Sequence, residues 1–247
     1  MWSFFAYLAS PKKFISISNK IMPWLTFLFL LTFAYGIIGG LMLAPADYLQ
    51  GDGFRIIYVH APCAFLSLFI YAVMALAAVS SLVFRLKLGS LIIKHSAPIG
   101  AGFTFLALLT GSLWGKPMWG AWWIWDARLT SELILLFLYV GIILFQSALK
   151  QKQLNERLVA ILVLVGFIDI PIIHYSVYWW NTLHQGPTLK LLHPSAIDSS
   201  MLYPLLAMMI AFLMYYFIIL FLKIRLDVIA IQNNPHWLQD NKHVERF

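Results

Sequence analysis

The chain alternates between long apolar runs and short polar breaks. Six stretches are long and apolar enough to cross a hydrocarbon core of about 30 Å, which takes roughly 20 residues of helix. They are residues 22–44, 57–84, 91–113, 131–149, 158–178 and 202–222. Their period-2 content is poor and the runs are too long for barrel strands, so helices are the only spanning element that satisfies its own backbone in lipid. The pattern predicts an all-α integral membrane protein, a six-transmembrane-helix bundle forming a single membrane domain over residues 1–247, with no repeat and no separate soluble domain. The first 21 residues carry Lys12, Lys13 and Lys20 but no small-residue cleavage site behind a short apolar core, so the first stretch is expected to be retained.

Composition agrees with lipid as the main solvent. Apolar residues make up 62% of the chain and charged residues 11%, against about 25% in a soluble domain. The formal charge of +7 comes from Lys and Arg clustered between apolar runs, not from a stripe along one face, which excludes a nucleic-acid surface. Thirteen of the 17 basic residues fall on one side: the three N-terminal lysines, Arg85, Lys87, Lys94, Lys150, Lys152, Arg157, Lys223, Arg225, Lys242 and Arg246. The other side holds Arg55, Lys116, Arg128 and Lys190. Basic short loops stay cytoplasmic, so both termini are expected inside and the loops 45–56, 114–130 and 179–201 outside. The single cysteine, Cys63, excludes intramolecular disulfides and thiolate zinc sites, and reads as a small packing residue.

Seven of the ten tryptophans lie in the outer segments: Trp114, Trp119, Trp122, Trp123 and Trp125 in the second loop, between the third and fourth helices, and Trp179 with Trp180 in the third. An interfacial belt is the common use of Trp in membrane proteins. A belt populates both interfaces, however, and only Trp2, Trp24 and Trp237 mark the inner one. Trp119, Trp122 and Trp123 recur at i, i+3 and i+4, so a helical turn would present them as one aromatic face suited to a planar apolar ligand or a partner protein. Asp126 and Arg128 close this stretch, either pairing in the loop or meeting the carboxylates of a ligand, with Arg55 as a second cation. Thr130 is the expected cap of the fourth helix, with Glu132 in its first turn.

Of the seven histidines, His95, His236 and His243 fall on the inner side and are set aside. His60 sits in the first turn of the second helix near the outer surface, where Pro62 is tolerated, and His184 lies just past the outer end of the fifth, before the turn signal of Gly186 and Pro187. A lone membrane histidine is more often a hydrogen-bonded structural residue. Two at matched depth beside an aromatic surface fit the axial ligands of a haem iron, with His174 and His193 as alternative partners. Asp169 lies near mid-membrane, a functional signal by default; Pro171 beside it offers a plainer account, a kink whose freed carbonyl a protonated Asp169 helps to satisfy.

The run WGAWWIWDARLTSE, from Trp119 to Glu132, resembles the tryptophan-rich WWD signature of haem-handling membrane proteins in cytochrome c biogenesis. With six spans, the VHAPCA segment around His60 and the SVYWWNTLHQGP segment around His184, the chain is similar over nearly its whole length to the haem exporter protein C family. That resemblance implies a bacterial inner-membrane protein that holds b-type haem non-covalently at its periplasmic face, as cargo, with His60 and His184 as axial ligands. The WWD tryptophans, Trp114 included, would contact the macrocycle. It implies delivery to a periplasmic haem chaperone, cytochrome c maturation protein E, alongside the ATP-binding-cassette maturation proteins A and B and a small single-span protein D. No Walker motif occurs in the chain, in keeping with an ATPase elsewhere, and no enzymatic role is expected. Two other readings are a b-type electron-transfer subunit, with His60 and His174 as ligands, and a direct haem-attaching synthase of the same superfamily, whose members carry more spans. Transport of haem through the bundle is disfavoured, because only Asp169 marks the mid-membrane.

Overall fold

The computed structural model describes residues 11–148, 151–180, 182–184 and 197–233. Helix α1 (Pro11–Ile37) runs into a π-helical segment, Ile38–Leu43. A 3₁₀ turn, Asp52–Ile56, leads into α2 (Ile57–Phe84), followed by α3 (Lys87–Trp119), α4 (Ala127–Ala148), α5 (Lys152–Gly166), α6 (Asp169–Trp179) and α7 (Ser199–Asn233). Together they make six segments long and apolar enough to cross a membrane, with α5 and α6 forming one broken span. The chain is a multi-pass helical membrane protein, as its hydropathy pattern predicts.

Helix α2 is the hub, packed against α3, α5 and α7. Its fully buried face carries Cys63, Leu66, Ile70 and Met74, so Cys63 is indeed a packing residue. Tyrosine hydroxyls tie the bundle where carbonyls are otherwise unreachable by water: Tyr139 donates to the Ser67 carbonyl at 2.7 Å and Tyr58 to that of Met201 at 3.3 Å. Helix α1 lies on α7 through small residues. Gly36 abuts Met208 and Gly39 abuts Pro204, with no room for a Cβ, the close approach that replaces the hydrophobic effect between helices in lipid. At the basic end, Asp227 of α7 accepts from Lys94 at 2.6 Å and from His95 at 2.9 Å, pinning α3 to α7.

Two boundaries differ from expectation, each in a way that shapes the outer face. Helix α3 does not stop at residue 113. It continues to Trp119 and ends at Gly120, whose φ of +77° is the left-handed cap that glycine adopts without strain. At 33 residues it is about 50 Å long, so it stands clear of a hydrocarbon core of about 30 Å and carries Trp114 and Trp119 as helical residues. Helix α4 begins at Ala127, not 131, because Asp126 caps it: its Oδ1 accepts the Leu129 amide at 2.8 Å. Thr130, the expected cap, therefore lies inside the helix. Helix α2 begins at Ile57 as expected, and from that start Pro62 falls in the second turn, not the first.

The fifth span breaks one turn before Pro171, at Phe167 and Ile168. The proline has no amide hydrogen to give to the Phe167 carbonyl, and the Ile170 amide takes that carbonyl instead, at 3.1 Å. Asp169 opens α6, where a carboxylate faces the positive end of the helix. Its Oδ2 has no hydrogen-bond partner among the described residues, so the expected role in satisfying the freed carbonyl is not the one it plays.

Candidate functional site

One cavity of about 400 Å³ is bounded by α2, α3, α4, α6, α7 and the segment beyond α6, within the usual range of ~300–1,000 Å³ for ligand sites. Its wall is mostly aliphatic and aromatic. The polar groups that reach it are His60, His174, His184, Arg128, Glu132 and Gln50. His60 and His184, 124 positions apart in the chain, thus converge on one space.

The hydrogen bonds of the two histidines fix their tautomers. His60 Nδ1 lies 3.1 Å from the Ala107 carbonyl and 3.1 Å from Thr110 Oγ1. The Thr110 hydroxyl hydrogen is already given to the Leu106 carbonyl at 2.6 Å, so both neighbours act as acceptors and Nδ1 carries the proton. His184 Nδ1 lies 3.2 Å from Asp126 Oδ2, which again places the proton on Nδ1. Each ring therefore keeps a lone pair on Nε2, the state in which imidazole binds a metal while its other nitrogen is held by an acceptor. Burial pulls the His184 imidazole below its ordinary range; Asp126 opposes this and Arg128 adds to it. At neutral pH the ring is uncharged.

Aromatic rings flank both histidines. Trp114 meets the His60 ring edge-on at 5.6 Å and is itself fixed by a 2.8 Å hydrogen bond from its Nε1 to Gln50 Oε1. Trp119 meets the His184 ring edge-on at 4.8 Å. Gly115, one turn before Trp119, leaves the indole the space a side chain would occupy, and Gly111 does the same for His60.

The other three tryptophans of the loop do not extend this wall. The expected single face of Trp119, Trp122 and Trp123 does not form, because the helix ends between them at Gly120 and residues 121–126 are not helical. Trp122 and Trp125 are exposed, at 56% and 75%. Lys116 lies over the Trp122 ring at 5.9 Å, and Trp123 packs edge-on to Trp125 at 5.4 Å. Trp122 and Trp125 face outward, Trp123 is half-buried with its indole N–H unpartnered among the described residues, and none of the three lines the cavity.

The cations separate as well. Arg128 lines the cavity and spends one N–H on the Ile173 carbonyl at 3.0 Å. Arg55 does not line it: it bridges Asp52 at 3.0 Å and the Gly40 carbonyl at 3.0 Å, ordering the first outer loop. Asp126 orders the second loop and holds His184. His174 lines the cavity with its ring edge-on to Tyr175 and has no hydrogen-bond partner among the described residues, so nothing fixes its tautomer. His193 and Lys190 lie outside the described residues. Sequence reasoning missed Gln50 and the inward face of Glu132. The turn that presents Gln50, in which Asp47 Oδ1 accepts the Leu49 and Gln50 amides at 2.9 and 2.8 Å, carried the signal in its Asp47-to-Gly51 spacing.

Comparison with known proteins gives the same family throughout. The model of the Heme exporter protein C family matches residues 4–239. Heme exporter protein C of Escherichia coli (strain K12) is 46% identical over 240 residues, and that of Haemophilus influenzae 44% over 239, each covering 97% of both chains. A putative cytochrome c biosynthesis ccmC-like mitochondrial protein of Arabidopsis thaliana is 39% identical over 226 residues, 90% of this chain and 84% of its own. With a match running from end to end of the described bundle, the chain belongs to the Heme exporter protein C family.

Proposed function

We propose that this protein holds haem in the outer cavity, with His60 and His184 as the two axial ligands of the iron, and hands it on during cytochrome c maturation. The observation that carries the reading is the pair of imidazoles with Nδ1 bound and Nε2 free, on one apolar cavity. Two neutral nitrogen donors, with no thiolate nearby, suit a low-spin b-type haem iron. Trp114 and Trp119, packed against the two histidines, would contact the macrocycle, and the rest of the Arg128 guanidinium fork would meet a propionate.

The basic-residue asymmetry supports a periplasmic setting for this face, in a bacterial inner membrane. The exposed Trp122, Trp125, Trp179 and Trp180 then present an aromatic surface beside the haem, the side from which a periplasmic haem chaperone, cytochrome c maturation protein E, takes its cargo. We assign the energy source to partners, the ATP-binding-cassette maturation proteins A and B with the single-span protein D. We assign this chain the role of a binding and transfer protein: its cavity offers two histidines and a cation to the cargo.

The test is spectroscopic. Full-length protein reconstituted in lipid and titrated with haemin should give a low-spin spectrum, and His60→Ala and His184→Ala should each abolish or alter it. Spectra unchanged in both variants would overturn the ligand assignment. His174→Ala separates the electron-transfer alternative, since the proposed site should survive that change.

A further inference from the structure

The cavity holds one charged group that the haem-site reading does not use. Glu132 lines it from α4, is only 7% exposed, and its Oε1 has no hydrogen-bond partner among the described residues. An ionised carboxylate left in that state carries a large desolvation cost unless a proton or a cation joins it. Arg128, one turn earlier, gives its Nη1 to the Ile173 carbonyl and makes no ion pair with it. The Ser67 hydroxyl on α2 is shared between Glu132 and the Ala64 carbonyl, 2.8 Å away, and leaves Oε1 unmet. Oε1 is thus left to a proton or to a cation that enters the cavity.

A ferric porphyrin held by two neutral imidazoles carries a net positive charge on its core, because the porphyrin dianion cancels only two of the iron's three charges. Placed in this apolar cavity, that core supplies the cation the carboxylate lacks. Resting on the haem-site reading, we propose that Glu132 is the charge-balancing carboxyl of the cavity: ferric haem binds as the Glu132 carboxylic acid loses its proton to bulk water, while ferrous haem, whose core is neutral, binds without that loss.

Other titratable groups face the same region. They are His60 and Tyr71 on α2, Tyr139 and Arg128 on α4, Asp169 and His174 on α6, and His184 beyond it. Helices α3 and α5, also packed on α4, add no titratable group to the cavity wall. All of these are common to wild type and a Glu132 variant, so the difference between the two isolates Glu132.

The experiment titrates the full-length protein in lipid nanodiscs with haemin in weakly buffered solution between about pH 6 and pH 8, reading proton release alongside the low-spin spectrum. Wild type should release up to about one more proton per haem than Glu132→Gln, and Glu132→Asp should restore the release. Glu132→Gln should weaken ferric binding by tenfold or more while changing dithionite-reduced binding far less. Equal proton release from wild type and Glu132→Gln, with the low-spin spectrum intact in both, overturns the proposal. If Glu132→Gln does not fold, wild type alone decides: between about pH 6.5 and pH 8 ferric affinity should rise with pH and ferrous affinity should not, and two equal slopes overturn it. Haemin spectra indifferent to His60→Ala and His184→Ala would overturn the haem-site reading and this proposal with it, a failure distinct from equal proton counts at an intact site.

Discussion

Asp126 serves two elements with its two oxygens: Oδ1 accepts the Leu129 amide at 2.8 Å and caps α4, while Oδ2 accepts from His184 Nδ1 at 3.2 Å. The start of a transmembrane helix and the orientation of a proposed iron ligand thus depend on one side chain. Asparagine caps as well as aspartate, but it has a single acceptor oxygen. In Asp126→Asn that oxygen stays on the cap and the amide NH₂ faces His184, so the ring must move its proton to Nε2, the nitrogen the iron needs. Haem affinity should fall by about 10–100-fold with the thermal midpoint nearly unchanged. Asp126→Ala should lose the same affinity and about 1 kcal/mol of stability besides. Haem titration and thermal unfolding of the two variants check the split.

Because burial holds the His184 imidazole below its ordinary value of about 6.5, the unfolded chain binds the proton more readily than the folded one. Stability is therefore complete above that value and declines as pH falls through the window between it and the lower folded value. The haem site follows the same direction, since protonation removes the Nε2 lone pair. The low-spin spectrum should be constant from about pH 8 to 6.5 and give way on the acid side. His184→Gln should flatten the stability slope in that window. Thermal midpoints of the two proteins at neutral and mildly acidic pH give the comparison.

Gly111 sits on α3 directly opposite His60, and a Cβ there would come within 3.0 Å of His60 Cε1. Alanine is the better helix former by about 1 kcal/mol, so Gly111→Ala sets local helix stability against the position of a ligand ring. The ring has to shift by a few tenths of an ångström, away from its fixed contacts with Ala107 and Thr110. Haem content should drop while the thermal midpoint does not, as read by absorbance and unfolding on one preparation.

The spans were legible because lipid imposes one rule on the whole run: an unbroken apolar helix, whose ends blur but whose existence does not. The break at Phe167 and Ile168 followed from Pro171, which lacks an amide hydrogen wherever the tertiary structure puts it. The Trp-rich loop was misread locally because an i, i+3, i+4 spacing shows a helical face only if the helix continues, and Gly120 ends it. Asp126 was hidden as a cap because Thr130 offered an equally good local signal four residues on.

Taken alone, the sequence determined that this is a six-span helical membrane protein with its chemistry gathered on one face, since hydropathy, charge and composition act through neighbours in the chain and the lipid around it. Tertiary structure decided which residues share a cavity. It brought His60 and His184 together, gave each an acceptor for Nδ1, left Trp122, Trp123 and Trp125 outside, and turned Glu132 inward with its Oε1 unpartnered. Those outcomes depend on how α2, α3, α4 and α6 pack against one another, a relation between distant segments that no local spacing records.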